Sequence, residues 1–218
     1  MININYVLVA FIAYLLGSIP FALVYVKLFL NKDMRTFGSK NTGALNTLRI
    51  VSHEKGKLIG VISFLIVFLL DASKAVLAII LATHFIPENP TLAITLGTFF
   101  AILGHNYSVI LNFKGGRGAA SLLGVMLFLN WKIFLAWIAT VIIFMIIFEI
   151  LLGGKIDGKL IKRAISDQIV GRLIGEIVGL YTVYIIDPTL FYPILFGTIL
   201  VVISHKDRLL EQIKKKNA

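Results

Sequence analysis

Long stretches without charge dominate this chain. Apolar residues run almost unbroken through 6–30, 58–83, 91–111, 118–131, 133–152, 169–186 and 189–204. About 20 such residues in a row are what the hydrocarbon core of a bilayer demands of a crossing helix. A soluble domain of 218 residues has too little interior for this load. Some 58% of the residues are hydrophobic, only 15% are charged, and the mean hydropathy is +0.93. The runs are continuous rather than alternating, which argues against β-barrel strands. The expected fold is an all-α polytopic membrane protein with about seven transmembrane helices. It forms one transmembrane domain over residues 1–218, with no chain left for a soluble accessory domain. The fourth run spans only ~21 Å and is expected to begin inside the protein. Gly17-Ser18-Ile19-Pro20 predicts a break in the first helix, because Pro20 cannot donate a helical hydrogen bond.

The formal charge of +10 would suggest nucleic acid in a soluble protein. Here the positive-inside rule accounts for it, and no nucleic acid partner is expected. With the N-terminus outside, the inner segments are 31–57, 112–117, 153–168 and the tail from His205. These hold every Lys and Arg except Lys27, Lys74, Lys132 and Arg172. The C-terminus is then cytoplasmic, and the chemistry should lie at the inner face, because the outer loops are too short to carry it. Residues 1–5 have no basic residue, so the first run reads as a mature span rather than a signal peptide. Residues 153–168 read as an amphipathic helix on the inner surface. Ile156, Leu160, Ile161, Ala164 and Ile165 form its stripe, flanked by Lys155, Lys159, Lys162 and Arg163. There are no cysteines, which excludes disulfides, thiol catalysis and thiolate metal sites. No metal cluster and no cofactor motif stand out.

Two inner segments have the composition of anion sites. The first is Gly38-Ser39-Lys40-Asn41-Thr42-Gly43-Ala44-Leu45-Asn46-Thr47-Leu48-Arg49. Its small residues let backbone N–H groups approach a phosphate, and Arg49 can add a two-pronged bond. The same residues could equally form a polar turn with a capped helix start. The second is Lys114-Gly115-Gly116-Arg117-Gly118, opening onto a helix. Its cations, amides and helix end suit an anion, although a tight basic turn would look the same and the Walker spacing is absent. His105 and His205 sit near inner helix ends, as substrate-polarising or simply interfacial residues. Asp71 with Lys74, and Arg172 with Glu176, fall on shared helix faces within apolar runs. Each pair is either a structural brace or part of a substrate site.

Taken together, these pieces resemble the bacterial membrane acyltransferases that use acyl phosphate to acylate glycerol 3-phosphate. The family's Gly-Ser-Ile-x-Phe stands here as Gly17-Ser18-Ile19-Pro20-Phe21, and its first motif as Gly38 through Arg49. Its Asp-x-x-Lys stands as Asp71 and Lys74. Its second motif stands as Gly104-His105-Asn106-Tyr107-Ser108 with Phe113 through Gly118, and its third as His205-Lys206-Asp207-Arg208. The likeness spans nearly the whole chain in order. Against the family pattern, Lys40 replaces Gly, Leu45 Thr, Ser108 Pro, Arg117 Lys and Arg208 Asn. A Ser-containing turn near Gly175 is missing, and about twenty residues near 153–169 look inserted.

The resemblance implies an enzyme of phospholipid biosynthesis in the cell membrane, working without a cofactor at the cytoplasmic face. It would transfer an acyl group from acyl phosphate to the 1-hydroxyl of glycerol 3-phosphate, giving lysophosphatidic acid and phosphate. His205, with Ser39 and His105, would be catalytic. Arg49, Lys114, Gly115, Gly116, Arg117 and Gly118 would bind phosphate, and Asn41, Asn46 and Arg208 would position substrate. A mixed anhydride is already activated, so positioning and charge stabilisation can suffice. None of the four histidines stands in a His-x-x-x-x-Asp pair. That favours acyl phosphate over thioester donors. Two other readings fit parts of the pattern: a transporter for an anionic metabolite, and a divergent homologue that binds lipid phosphate without catalysis.

Overall fold

The computed structural model describes residues 4–152 and 157–216, and within these all regular structure is helical. By length and composition, five segments are able to cross a membrane: Ile4–Leu30, Lys57–Phe85, Pro90–Leu111, Trp131–Leu151 and Ile169–Ile186. A sixth is formed if Pro188–Ser204 and Lys206–Gln212, which meet at 48°, count as one. The apolar runs therefore yield five or six crossing helices against the seven or so expected. One difference lies in the seventh run, which counts only together with its bent continuation, and the other in the fourth, whose helix has only 11 residues, Ala119–Leu129. At about 16 Å it cannot cross alone.

The first span is broken where the sequence predicts. Helix α1 (Ile4–Ser18) ends and α2 (Phe21–Leu30) begins around Ile19-Pro20. A break at membrane depth frees carbonyls that lipid cannot satisfy, and each would cost several kcal/mol if left bare. Two distant side chains take them. Lys74 of α4 (Lys57–Phe85) donates its Nζ to the Ile19 carbonyl at 2.9 Å, and Ser108 donates its Oγ to the Ser18 carbonyl at 2.6 Å. Lys74 also pairs with Asp71 at 2.9 Å, both side chains being buried. This is the pairing expected from their spacing.

Helix α5 (Pro90–Asn106) starts from Asn89, whose side chain accepts from the Leu92 amide, and runs through the middle of the bundle. It packs on α1, on α4 and on α10 (Phe191–Ser204). Alanines make the close contacts, with Ala13, Ala75, Ala78 and Ala101 buried in one cluster. Small residues do this work in membrane bundles because lipid offers no hydrophobic drive between helices. A second core of Ile102, Met126, Ile133, Trp137, Val183 and Ile194 joins α5, α6 (Ala119–Leu129), α7 (Trp131–Leu151), α9 (Ile169–Ile186) and α10. The α7–α9 contact rests on a stripe the sequence reading missed. Gly171, Gly175 and Gly179, one turn apart, lie against Met145, Val141 and Trp137 with no room for a side chain. Of the expected surface helix, α8 (Leu160–Asp167) is present, with Ala164 buried, Ile161 exposed and Arg163 paired to Glu149 and Asp157. Lys155 and Ile156 lie outside the described residues, as do the side chains of Lys162 and Ile165.

Candidate active site

The ends of these helices enclose a cavity of about 210 Å³. All four inner segments inferred from the basic residues contribute to it. Residues 39–49 come from the loop and start of α3 (Ala44–Lys55), and Arg117 and Gly118 come from the turn into α6. Gln168 immediately precedes α9, and His205 and Arg208 flank the start of α11 (Lys206–Lys216). Phe64, Phe68 and Asp71, two to four turns into α4, carry the cavity into the bundle.

The first loop is shaped by one side chain. Asn46 is buried, accepts from the Ser39 amide at 2.9 Å, and donates to the carbonyls of Asn41, Phe37 and Met34 at 3.0–3.2 Å. Its hydrogen bonds are thus spent on holding the loop, though it borders the cavity. Ser39, Asn41 and Arg49 also line the cavity, Arg49 with its side chain exposed.

The glycine-rich turn behaves differently from its sequence reading. The amides of Gly115 and Gly116 donate to the carbonyls of Asn106 and His105 at 3.0 and 2.9 Å. These donors close the end of α5 and are not aimed at the cavity. Lys114 is exposed and lies outside the cavity wall. Only Arg117 and Gly118 of this motif line it. Burial, with Arg208 and Arg172 nearby, pushes the Arg117 guanidinium down to about 10, which leaves it charged at neutral pH.

The two histidines occupy different settings. His105 points Nδ1 at Asp71, 3.6 Å from its Oδ1, while its Nε2 is covered by Gly116. His205 stands at the bend between α10 and α11. Its Nδ1 lies 2.8 Å from the Val201 carbonyl, so in the neutral ring Nδ1 donates and Nε2 is left as the acceptor. Side chains from α5 and α10 fix this bend: Asn106 donates to the Leu200 carbonyl at 3.1 Å, and Ser204 to the Arg117 carbonyl at 3.0 Å. Arg49, Arg117, Arg172 and Arg208 give the cavity four guanidinium groups, and Asp71 is its one carboxylate among the described lining residues. Phe64, Phe68 and Leu123 supply an apolar wall, the two phenyl rings stacking at 6.0 Å. The sequence reading did not pick out these three, which look like any residue of an apolar run, nor Gln168. Arg172 was flagged only as one of a pair. Such an arrangement can take an anion beside an apolar chain and offer a hydroxyl a base.

Comparison with known proteins gives this chemistry a setting. The sequence profile described as glycerol-3-phosphate acyltransferase matches residues 7–215. The chain belongs to the glycerol-3-phosphate acyltransferase family. A family protein from Jannaschia sp. (strain CCS1) is 40% identical over 141 residues, covering 63% of this chain and 64% of the relative. One from Anaplasma marginale (strain Florida) is 41% identical over 138 residues, with the same coverage. The matched stretch thus spans just under two thirds of these relatives. The fold is that of PlsY, an integral membrane glycerol 3-phosphate acyltransferase solved in glycerol 3-phosphate and lysophosphatidic acid forms. The first gives a TM-score of 0.68 at 23% identity over 97% of this chain and 93% of that one. Within this glycerol-3-phosphate acyltransferase family member, the departures fall at informative places. Lys40 takes a left-handed φ of 57°, a conformation suited to glycine, and Ser108 closes the helix break. Arg117 and Arg208 both line the cavity.

Proposed function

We propose that the protein transfers a fatty acyl group from acyl phosphate to the 1-hydroxyl of glycerol 3-phosphate, at the cytoplasmic face of the bacterial cell membrane. The observation that carries this reading is one cavity holding four arginines, the His205 imidazole and an apolar Phe64–Phe68 wall. The hydroxyl oxygen attacks the acyl carbonyl carbon and the carbonyl–phosphate C–O bond breaks. Phosphate leaves with the bonding pair, and Nε2 of His205 takes the hydroxyl proton. The products are lysophosphatidic acid and inorganic phosphate. Arg49, Arg117 and Arg208 hold the two phosphates, whose mutual repulsion they offset. Ser39 and Asn41 position the substrates. Lys114 acts by steering anions toward the cavity rather than by contact. Asn46, Gly115, Gly116 and Gly118 shape the two loops, and His105 anchors the glycine turn against Asp71. No metal or cofactor is required, since the donor is itself activated.

The test uses purified protein in detergent with glycerol 3-phosphate and, in parallel, acyl phosphate, acyl-CoA and acyl carrier protein thioester. Lysolipid and phosphate should form from acyl phosphate alone. Comparable lysolipid from either thioester would overturn the donor assignment, and no lysolipid from any donor would overturn acyl transfer.

A further inference from the structure

We infer that Arg172, a residue outside the family's motifs, contacts substrate phosphate directly, and that Glu176 is its positioning residue. This rests on the acyl-transfer reading and names a further contact within the same site. Arg172 lies in the first turn of α9 and lines the cavity, with its side chain 24% exposed. Its Nε donates to Oε1 of Glu176 at 3.0 Å, one turn along. That carboxylate is buried, and its Oε2 has no hydrogen-bond partner among the described residues.

The geometry is a poor one for a brace. Carboxylate and guanidinium can meet fork to fork, satisfying both oxygens through two parallel bonds. Here the contact runs from Nε to a single oxygen, and among the described residues Glu176 is only half satisfied. A buried pair of this kind contributes little to stability, because desolvation offsets its attraction. What the contact does achieve is orientation. It fixes the guanidinium by its Nε edge, so that the planar Nη end is the part available to a ligand.

The surroundings point the same way. Arg172 is close enough for its charge to act on both Arg117 and His205. Arg117, Arg172 and Arg208 therefore gather around the His205 imidazole, with Glu176 the only carboxylate bonded to any of the three among the described residues. Asp207 and Glu211 near Arg117 offset part of the repulsion among these like charges, and a bound anion offsets more of it. A phosphate monoester dianion, which offers three oxygens to planar donors, fits that need. Arg172 thus completes the phosphate subsite beside the base.

Two variants decide this in full-length protein in detergent. Arg172→Lys keeps the charge and the partner but loses the planar fork. Arg172→Ala/Glu176→Ala removes both halves of the pair, which a mere brace tolerates. Both are expected to keep near-native unfolding temperatures while the KM for glycerol 3-phosphate rises about ten- to a hundredfold, with a smaller change in kcat. A folded variant of either kind with a wild-type KM would overturn the inference. Should the double variant not fold, Arg172→Lys decides alone. Calorimetric titration with glycerol 3-phosphate, without a donor, separates this from the parent reading. Wild-type protein that binds it but makes no lysolipid overturns acyl transfer, and the variants' Kd then decides Arg172. Wild-type protein that neither binds it nor makes lysolipid overturns both.

Discussion

Lys40 shows how a single backbone angle can carry a family pattern. Its φ of 57° lies in the region where a Cβ crowds the following carbonyl, at about 1–2 kcal/mol. Glycine is free of that clash but loses more entropy on folding, so the net gain is smaller. Lys40→Gly should stabilise the protein by roughly 0.5–1 kcal/mol, raising the unfolding temperature in detergent by about 2 °C. A lower temperature would show that the loop does not hold this angle. At the same scale, the sequence could not separate Lys114 from Arg117. Both are cations in one glycine-rich turn, and only the fold turns one inward and leaves the other outside. Arg49→Ala and Arg117→Ala should each cut kcat/KM about ten- to a hundredfold, the value of a charge-assisted phosphate bond. Lys114→Ala should leave kcat intact and lower kcat/KM modestly, an effect that fades in high salt as steering is screened. Kinetics of the three variants at low and high ionic strength check this, and equal losses at Lys114 and Arg117 would refute the division.

Among the helices, breaks were easier to read than the contacts that make them tolerable. Pro20 announces the interruption of the first span, since it cannot donate. The groups that satisfy the freed carbonyls come from 55 and 90 residues away, a separation no local pattern reveals. The Asp71–Lys74 pairing was legible from spacing, but the reach of Lys74 to Ile19 was not. Lys74→Met should destabilise the bundle by about 3–5 kcal/mol, because it removes the cation 2.9 Å from the buried Asp71, leaving that carboxylate with His105 at 3.6 Å, and takes from the Ile19 carbonyl one of its two donors among the described residues, the other being the Phe21 amide at 3.1 Å. Unfolding in detergent measures the effect, and an unchanged midpoint would mean that the break is held otherwise. The α7–α9 seam was readable in principle, since Gly171, Gly175 and Gly179 recur every four residues. Such spacing signals a close helix approach in a membrane, though Arg172 and Glu176 are the more conspicuous residues of the same run.

For the whole molecule, the alternation of basic residues was the most informative signal, because it sorts segments by side without knowing how they pack. The four segments it groups together all border one cavity. The number of crossing helices was less legible. Hydropathy marks apolar runs, and a run buried among other helices reads like one that spans lipid, as the 11 residues of α6 show. Orientation itself is open to a direct measurement, and exposed positions are needed for it. Asn89 and Asn112 are poor choices, the first because it caps α5 and the second because it takes a φ of 50°. Glu88 and Lys114 are exposed, lie on opposite ends of α5 and have neither constraint. The native chain has no cysteine, so a single introduced thiol is unambiguous. In intact cells, Glu88→Cys should react with an impermeant maleimide and Lys114→Cys should not. Permeabilising the membrane should expose the second. The reverse pattern would place the arginine-lined cavity on the outside. That outcome would overturn the cytoplasmic placement of the proposed reaction, since the four basic segments that border the cavity would then lie outside.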